Sequence, residues 1–408
     1  MMHLPSIPAL LKRSLSPAPP SAIDLTRQLA KASGDAAGPR VANALAVELG
    51  GLEDSRFSEY FAAVARELAA EWQIVIHQLN LAAGGTALLV DLRRRLLVLA
   101  KSQPELKPLE RQLQQTLTSW FNGGFLTLRR IDWDSPASLL ERLMRYEAVH
   151  PITSWANMRR RLAGDRRCFG FFHPAMPNDP LIFVQVALTR EISQTIKPIL
   201  EAPIGDDPAP TTAIFYSISN CQRGLNGIPF GNLLIKRVVT ELHQELPSLT
   251  TFSTLSPIPG FRQWIERNDG GTTGLSAADT ALLATPHWWD HPESYPALEL
   301  PLTRAAARYL TLAPEGRAPD PVAHFHLSNG ARVERINWRA NLSDNGVAES
   351  YGLMVNYRYR LDHIQKAQLG YRAGKVPRAW AIDALLHTPL RMPFLRSDAN
   401  TRRSVIHG

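Results

Sequence analysis

The sequence predicts an α+β protein in which an all-helical bundle is followed by a mixed α/β domain. Apolar residues recur at helical spacing up to about residue 148, whereas short β-favouring runs alternate with helical stretches after it. With 45% apolar and 20% charged residues, the chain can also bury large cores. We therefore expect a flexible segment at residues 1–20, a helical domain at 21–148 and the mixed domain at 149–408.

The helical domain follows a proline-rich start. Residues 1–20 contain five prolines, which predicts a flexible lead-in. Ser21 with Asp24 three residues later predicts a capping box, and Ser135 before Pro136 predicts a second helix start. Apolar stripes on single helix faces predict a bundle that serves support or assembly. The stripes are Phe57, Phe61, Val64 and Leu68; Leu89, Leu92, Leu96 and Leu99; and Leu109, Leu113, Leu117, Trp120 and Phe121.

The mixed domain contains strand-like and helix-like runs in alternation. Helical stretches are predicted at 190–200 and after Asn232, with a loop at 201–212. The strand-like runs lie at 168–173, 181–188, 213–219, 250–256 and 322–327. Domains of this kind commonly bind ligands where the strands end.

The stretch 213–257 combines a strand, a glycine-rich turn and a helix. Its turn contains Gly224, Gly227 and Gly231, and apolar residues after Asn232 recur at helical spacing. Free N–H groups and the dipole at such a helix start favour a phosphate or pyrophosphate. The turn lacks both the Walker ending and the dinucleotide fingerprint, so a merely structural tight turn is the alternative.

The charge of the chain indicates an anionic partner. The net charge is +8 and the isoelectric point is about 9.6, which suits nucleic acid, a membrane surface or a polyanionic small molecule equally well. No nucleic-acid-binding module is recognisable, and no apolar stretch approaches the ~20 residues of a spanning helix. We therefore expect neither nucleic acid nor a membrane as partner.

Cysteine usage and the chain ends bear on the compartment. Cys168 and Cys221 make neither a disulfide framework nor a metal site, which favours a reducing interior. The apolar start precedes Lys12 and Arg13, the wrong order for a secretory signal, although it weakly resembles an organelle-transit segment. The chain ends without the peroxisomal Ser-Lys-Leu. A cytoplasmic protein is the simplest expectation.

Two histidines and one serine of the mixed domain could carry chemistry. His324 and His326 lie two apart in a strand-like run and could share a metal, but no third ligand accompanies them. The alternatives for His326 are a buried structural histidine and a proton donor near neutral pH. Ser256 precedes Pro257, as a helix N-cap would, and lacks the nucleophile elbow of an acyl-enzyme serine. We expect no metal site.

Phrases spread over most of the chain resemble the malonyl-CoA decarboxylase family. They include GFLTLRRIDWDSPASLLERLMRYEAVHPI, AMPNDPLIFVQVALT, IFYSIS, GLNGI with GNLLIKRVV, TLSPIPGF, FHLSNGA with RINW, and GLMVNYRY. The resemblance implies a helical N-terminal domain followed by a catalytic domain related to the GNAT-type acetyltransferases. It also implies malonyl-CoA as substrate, acetyl-CoA and CO2 as products, and no cofactor besides the CoA thioester itself.

Carried over by position, the resemblance implies a set of site residues. Ser256 of SPIPGF and His326 of FHLSNGA match the family's catalytic pair. Ser217 of YSIS and Tyr359 of NYRY match positions that line its active site. Its CoA-binding turn falls on Asn226, Gly227, Ile228, Pro229, Phe230, Gly231 and Asn232. Pro229 stands where animal relatives carry a glutamate, so any role of that acid is dispensable here or supplied from elsewhere.

The chemistry of decarboxylation is consistent with the residue types at these positions. Loss of CO2 leaves an enolate on the thioester carbonyl, which the protein must stabilise and then protonate. His326 is the predicted proton donor, while Ser256 would bind the departing carboxylate, orient His326 or accept a proton. A CoA-dependent N-acyltransferase and a non-catalytic acyl-CoA sensor are the alternative functions. The resemblance further suggests a homo-oligomer, a dimer or a tetramer, formed through the helical domain.

Overall fold

The computed structural model describes residues 21–32, 38–204, 209–229 and 231–387. The predicted flexible segment at 1–20 lies outside these ranges. Contacts between Cα atoms divide the chain into two compact units. The first unit comprises residues 1–186 and 217–247, and the second comprises 187–216 and 248–408. This division follows compactness rather than chain order, so the domain boundary predicted at residue 148 stays a prediction.

The first unit begins with a helical bundle. Its helices are α1 Ala22–Lys31, α2 Gly38–Gly50, α3 Asp54–Glu67, α4 Trp72–Leu79, α5 Gly85–Ser102 and α6 Lys107–Trp120. Ser21 caps α1 by accepting a hydrogen bond from the N–H of Asp24, which is the serine half of the predicted capping box. The Asp24 carboxylate accepts from the Ser21 hydroxyl. The predicted stripes form its core, with Leu99 and Trp120 half-buried and the other eleven residues buried.

A small sheet region completes the first unit. Its elements are β1 Thr127–Ile131, α7 Ala137–Tyr146, α8 Trp155–Arg161, β2 Arg166–Phe172 and β3 Ile182–Thr189, whose end enters the second unit. The strand β1 corrects the expectation of helix throughout 21–148, because five residues that pair with β2 override a weak local pattern. The predicted cap at Ser135 is also wrong. Pro136 holds the cap position of α7, while the Ser135 hydroxyl bonds Asp132 instead.

The second unit contains the other half of the sheet. In chain order the next elements are α9 Lys197–Glu201, β4 Thr212–Asn220, α10 Gly231–Glu245, β5 Thr251–Thr254, α11 Phe261–Arg267, α12 Gly270–Thr273, α13 Ala277–Leu283, α14 Tyr295–Thr311 and α15 Pro321–Ser328. The last elements are β6 Arg332–Asn337, α16 Asp344–Ser350, β7 Met354–Tyr359, α17 Ile364–Arg372 and α18 Trp380–His387. Of these, α10 and the end of β4 belong to the first unit.

Seven strands hydrogen-bond in the order β1-β2-β3-β4-β5-β7-β6. Strands β4 and β5 run parallel, whereas β5 with β7 and β6 with β7 run antiparallel. Four of the five predicted strands are thereby confirmed. The helix predicted at 190–200 is shorter than expected, because α9 begins only at Lys197. No helix in the described part of the chain is long and apolar enough to cross a membrane.

Candidate active site

A chain of hydrogen bonds buried in the second unit joins the predicted serine and histidine. The Oγ of Ser256 lies 3.2 Å from Nε2 of His326, and Nδ1 of His326 lies 2.8 Å from the hydroxyl of Tyr359. All three side chains are buried. The structure therefore brings together three of the predicted site residues, which lie far apart in the sequence.

The position of each proton in this series of hydrogen bonds follows from the bond between Ser256 and Thr254. The Ser256 hydroxyl donates to Oγ1 of Thr254 over 2.8 Å, and a hydroxyl has one proton to give. Nε2 of His326 must then donate to Ser256, and Nδ1 must accept from Tyr359. In this arrangement His326 is a neutral imidazole whose N–H points at the serine oxygen. Ser256 is consequently not aligned as a nucleophile activated by His326.

Two strands hold Ser256 in place. Ser256 follows β5, and its backbone N–H and C=O each bond Val355 of β7 over 2.9 Å. Thr254 accepts a further bond from the N–H of Tyr357, so its oxygen is fixed between β5 and β7. The helix-cap alternative for Ser256 is wrong, because α11 begins five residues later, at Phe261, and this backbone is paired as an extended strand.

His326 lies on a helix and not on the strand predicted for 322–327. Asp320 begins α15 because its carboxylate accepts from the N–H groups of Val322 and Ala323, at 2.9 and 2.8 Å. Short apolar runs do not distinguish strand from helix by periodicity, and the Asp-Pro start decides for helix here. His324 points elsewhere, to the Tyr371 hydroxyl. Among the described residues no group of three possible ligands could hold a metal ion.

Asp320 also connects the segment that contains Ser256 with the helix that contains His326. Its second oxygen accepts from the N–H of Gly260 over 3.4 Å, in the loop that follows Ser256. At the other end of α15, Gly330 adopts a φ of +87°, which other residues rarely adopt. A Cβ there would also lie 2.7 Å from Ile364. One buried carboxylate and one glycine thus fix the position of the helix that carries His326.

Burial decides the charge of these groups. Burial lowers the pKa of His326 from 6.5 to about 3, because it disfavours the imidazolium. Burial likewise raises the pKa of Tyr359 well above 10.0. The His326 ring stacks on Tyr357, with ring centroids 4.7 Å apart, which excludes water from one face. Both side chains are therefore neutral at physiological pH.

A neutral His326 has a measurable pH signature. In the unfolded chain His326 takes up a proton below about pH 6.5. In the folded chain, because the pKa is lowered, it takes up a proton only near pH 3. The free energy of unfolding should therefore fall as pH falls through this window, by about 2 kcal/mol at pH 5 from this group. Above pH 6.5 the group contributes no pH dependence. Thermal unfolding at pH 7 and pH 5 checks this, with the His326→Gln variant expected to show a smaller loss.

The same lowered pKa predicts the pH dependence of turnover. Because His326 stays neutral between pH 8 and pH 5, kcat should show no acid limb near 6.5 from this residue. A limb at that pH that disappears in His326→Gln would contradict a neutral, buried histidine.

The strand, glycine turn and helix predicted at 213–257 are confirmed as β4, a turn and α10. Asn226, Gly227 and Pro229 are exposed on the turn, whereas Ile228 is buried. Gly227 has a φ of +81°, so the turn requires glycine there. Phe230 lies outside the described residues, and Gly231 with Asn232 forms the first turn of α10.

The turn is fastened to α5. The guanidinium of Arg93, which is buried and paired with Glu110, donates to the carbonyl of Gly224 over 2.6 Å. A Cβ on Gly224 would lie 1.8 Å from the Val90 carbonyl oxygen, so backbone meets backbone at this point. A pocket of about 740 Å³ opens here, with Arg223 among its lining residues. Its volume suits an organic ligand.

Ser217 belongs to a different buried group, in the first unit. Its hydroxyl donates to the carboxylate of Glu147, with distances of 2.8 and 2.7 Å to the two oxygens. Glu147 also accepts from the Gln185 amide and from the N–H groups of Val149 and His150. This buried carboxylate lines the 740 Å³ pocket. It gave no signal in the sequence, because its side-chain partners lie on separate strands.

Three further residues of the site escaped prediction. Thr254 and Tyr357 have no motif of their own, yet each stands two positions from a predicted residue on a strand and therefore on the same face. Asp320 did leave a signal, since an aspartate before proline is a typical helix start.

Beside the mixed sheet, buried hydrogen bonds join a serine, a histidine and a tyrosine, an arrangement that an α+β enzyme can use for proton transfer. Comparison with known proteins makes this class specific. The family model of the malonyl-CoA decarboxylase C-terminal domain matches residues 124–395, and that of the N-terminal domain matches 51–121. The chain belongs to the malonyl-CoA decarboxylase family.

Individual relatives agree with this assignment. The chain is 39% identical to the mitochondrial malonyl-CoA decarboxylase of Anser anser anser over 340 residues, 76% of this chain and 68% of that protein. The crystal structure of malonyl-CoA decarboxylase from Rhodopseudomonas palustris shares 40% identity and a TM-score of 0.83, covering 89% of this chain and 99% of that one. The crystal structure of malonyl-CoA decarboxylase from Agrobacterium vitis shares 38% identity and a TM-score of 0.83, and the match covers 90% of this chain and 100% of that one. The predicted fold class, a helical part followed by a mixed α/β domain, is confirmed.

Proposed function

We propose that this protein converts malonyl-CoA to acetyl-CoA and CO2, as a carboxy-lyase. Family membership supports this activity, and relatives at 38–40% identity carry its name. The observation in the structure that supports it best is the Ser256–His326–Tyr359 chain, in which a buried, neutral imidazole holds an N–H toward the serine oxygen.

The proposed reaction begins with cleavage of the bond between C2 of the malonyl group and its carboxylate. The electron pair of that bond moves onto the thioester carbonyl as an enolate, and CO2 leaves. The enolate carbon then takes one proton, which gives acetyl-CoA, so the balance is malonyl-CoA and one proton in, acetyl-CoA and CO2 out. The reaction needs a proton donor and stabilisation of the enolate oxygen, both of which protein groups can supply.

We assign the proton to Nε2 of His326. A thioester enolate is a strong base, so the weakly acidic N–H of a neutral imidazole is sufficient to protonate it, and solvent restores the proton afterwards. Ser256 lies between that N–H and Thr254, where it can pass the proton on or orient the imidazole. Tyr359 keeps the proton of His326 on Nε2 by donating to Nδ1.

The CoA moiety is assigned to the turn Asn226–Asn232 and the start of α10. Of the exposed turn residues, Gly227 has an N–H that bonds no described residue, whereas the N–H of Asn226 is held by the Arg223 carbonyl and Pro229 has none. The turn is fastened at Gly224, so the Gly227 N–H and the first N–H groups of α10 are donors at a fixed position. The positive end of a 15-residue helix adds to this attraction for phosphates. Self-association, a cytoplasmic location and the absence of a further cofactor stay predictions of this proposal.

The deciding experiment incubates the purified, chelator-treated protein with malonyl-CoA and no acceptor. We expect acetyl-CoA and CO2 in equal amounts. Release of free CoA thiol only after an amine is added would instead identify an N-acyltransferase. Tight binding of malonyl-CoA without any product would identify a sensor. Methylmalonyl-CoA as a second substrate measures selectivity among malonyl-type thioesters.

A further inference from the structure

A second pocket, of about 300 Å³, lies in the second unit and is rich in positive charge. None of its lining residues belongs to the serine–histidine pair or to the glycine turn, and none of them is a carboxylate. Its permanently charged residues are Arg332, Arg358, Arg360, Lys366, Lys375 and Arg378. The proposed reaction assigns no role to this cluster.

Two of these arginines face each other across neighbouring strands. Arg332 of β6 pairs in register with Arg358 of β7, and like charges directly opposite each other destabilise a sheet. Both share a single carboxylate. Glu334 lies 2.6 Å from the Arg332 guanidinium and 3.4 Å from that of Arg358. One negative charge thus serves two positive ones.

Two other carboxylates complete the local compensation. Asp362 lies 3.3 Å from the Arg360 guanidinium and 2.6 Å from Nδ1 of His363, so it too is shared. Asp383 pairs with Arg378 over 2.6 Å. Three carboxylates therefore offset only part of the positive charge of the rim, and none of them lines the pocket.

Two lysines add charge that no carboxylate compensates. Lys366 of α17 and Lys375, just beyond that helix, are exposed, and neither makes an ion pair within the described chain. Six permanent cations against three carboxylates leave an excess of three positive charges. The remaining lining is largely apolar, with Val376 and Pro377 between the cations.

We propose that this pocket binds a small phosphate-bearing anion of charge −2 or more. Guanidinium groups match phosphate oxygens in two-point hydrogen bonds, and unpaired ammonium groups add point charges. The volume is at the lower end of ligand pockets, which suits pyrophosphate or a small phosphate ester rather than a whole CoA molecule. Bound anion would relieve the repulsion between Arg332 and Arg358.

Titration calorimetry of the full-length protein with inorganic pyrophosphate tests this site. The Lys366→Gln/Lys375→Gln double variant should bind pyrophosphate at least about tenfold more weakly than the wild type, because it lacks two of the uncompensated charges. The matched control, Lys101→Gln/Lys107→Gln, removes two exposed lysines of the helical part and should bind like the wild type. Both double variants should keep the thermal unfolding midpoint of the wild type without ligand.

Three outcomes would overturn the proposal. Equal affinity in wild type and Lys366→Gln/Lys375→Gln would place pyrophosphate elsewhere. Citrate binding as tightly as pyrophosphate would show a site that recognises charge and not phosphate. A rise in KM for malonyl-CoA equal to the loss of pyrophosphate affinity would make the pocket part of substrate binding. These measurements do not depend on the proposed decarboxylation, because binding is read without turnover.

Discussion

Replacing His326 by Gln is expected to lower kcat of malonyl-CoA decarboxylation by about 10³-fold, within the ~10²–10⁴ range of general acid–base groups. The substitution removes the N–H that points at Ser256 and the acceptor that receives the Tyr359 hydroxyl. Because the proposal assigns proton transfer to His326 and CoA binding to the turn, KM should change much less than kcat. Steady-state kinetics with acetyl-CoA and CO2 as readouts measure both parameters.

The neighbouring His324 offers a matched control for this variant. It lies on the same helix, is partly buried and bonds Tyr371 instead of the serine. His324→Gln should therefore retain kcat within about twofold, while circular dichroism and the unfolding midpoint establish that His326→Gln is folded. If His326→Gln and His326→Asn, both folded, turned over at the wild-type rate, His326 could not be the proton donor.

Replacing Ser256 by Ala is expected to lower kcat by about 10²-fold, comparable to the loss of one well-placed hydrogen-bond donor in other enzymes. The variant leaves Nε2 of His326 without its partner and Thr254 without its donor. The backbone of residue 256 should stay in place, because it is held by its two bonds to Val355. Kinetics at saturating malonyl-CoA measure the effect.

The size of the serine effect distinguishes its possible roles. A loss as large as that of His326→Gln would mean that the proton passes through the hydroxyl, whereas a loss of about tenfold would mean that Ser256 orients the imidazole. Ser253→Ala is the matched control, since Ser253 is a buried serine on β5 whose hydroxyl bonds the Tyr357 carbonyl. A wild-type rate in Ser256→Ala would remove this residue from the reaction.

Local patterns in the sequence were sufficient for most elements, and they failed where a run is short or where pairing with a distant strand decides. The strand at 213–219 is predicted from a continuous apolar and β-favouring run and the helix after it from helical spacing, and both exist as predicted. The run 322–327 is too short for periodicity to distinguish strand from helix, and a capping carboxylate at Asp320 decided it. Strands β6 and β7 gave no clear alternation, because both contain arginines that face the basic pocket.

The candidate site also has features that the sequence could predict and features that it could not. Motifs quoted from the sequence led to Ser256, His326 and Tyr359, and the structure joins their side chains by hydrogen bonds. The sequence could not show that His326 is buried and uncharged, because its surroundings come from β5, β7 and α15 together. Nor could it show the partner of Ser217, a carboxylate 70 positions away. The roles assigned to these residues stay predictions until the variants are measured.

The hydrogen bond from Arg93 to the Gly224 carbonyl holds the glycine turn against the helical part of the chain. The helix α5 supports a loop that lies more than a hundred positions later in the sequence. There is no room for a side chain at Gly224, where the two backbones meet. The two parts of the sequence are consequently not interchangeable modules. A variant that kept the sheet but lost α5 would leave the Gly224 carbonyl without its guanidinium donor and the turn without the Val90 backbone on which it rests.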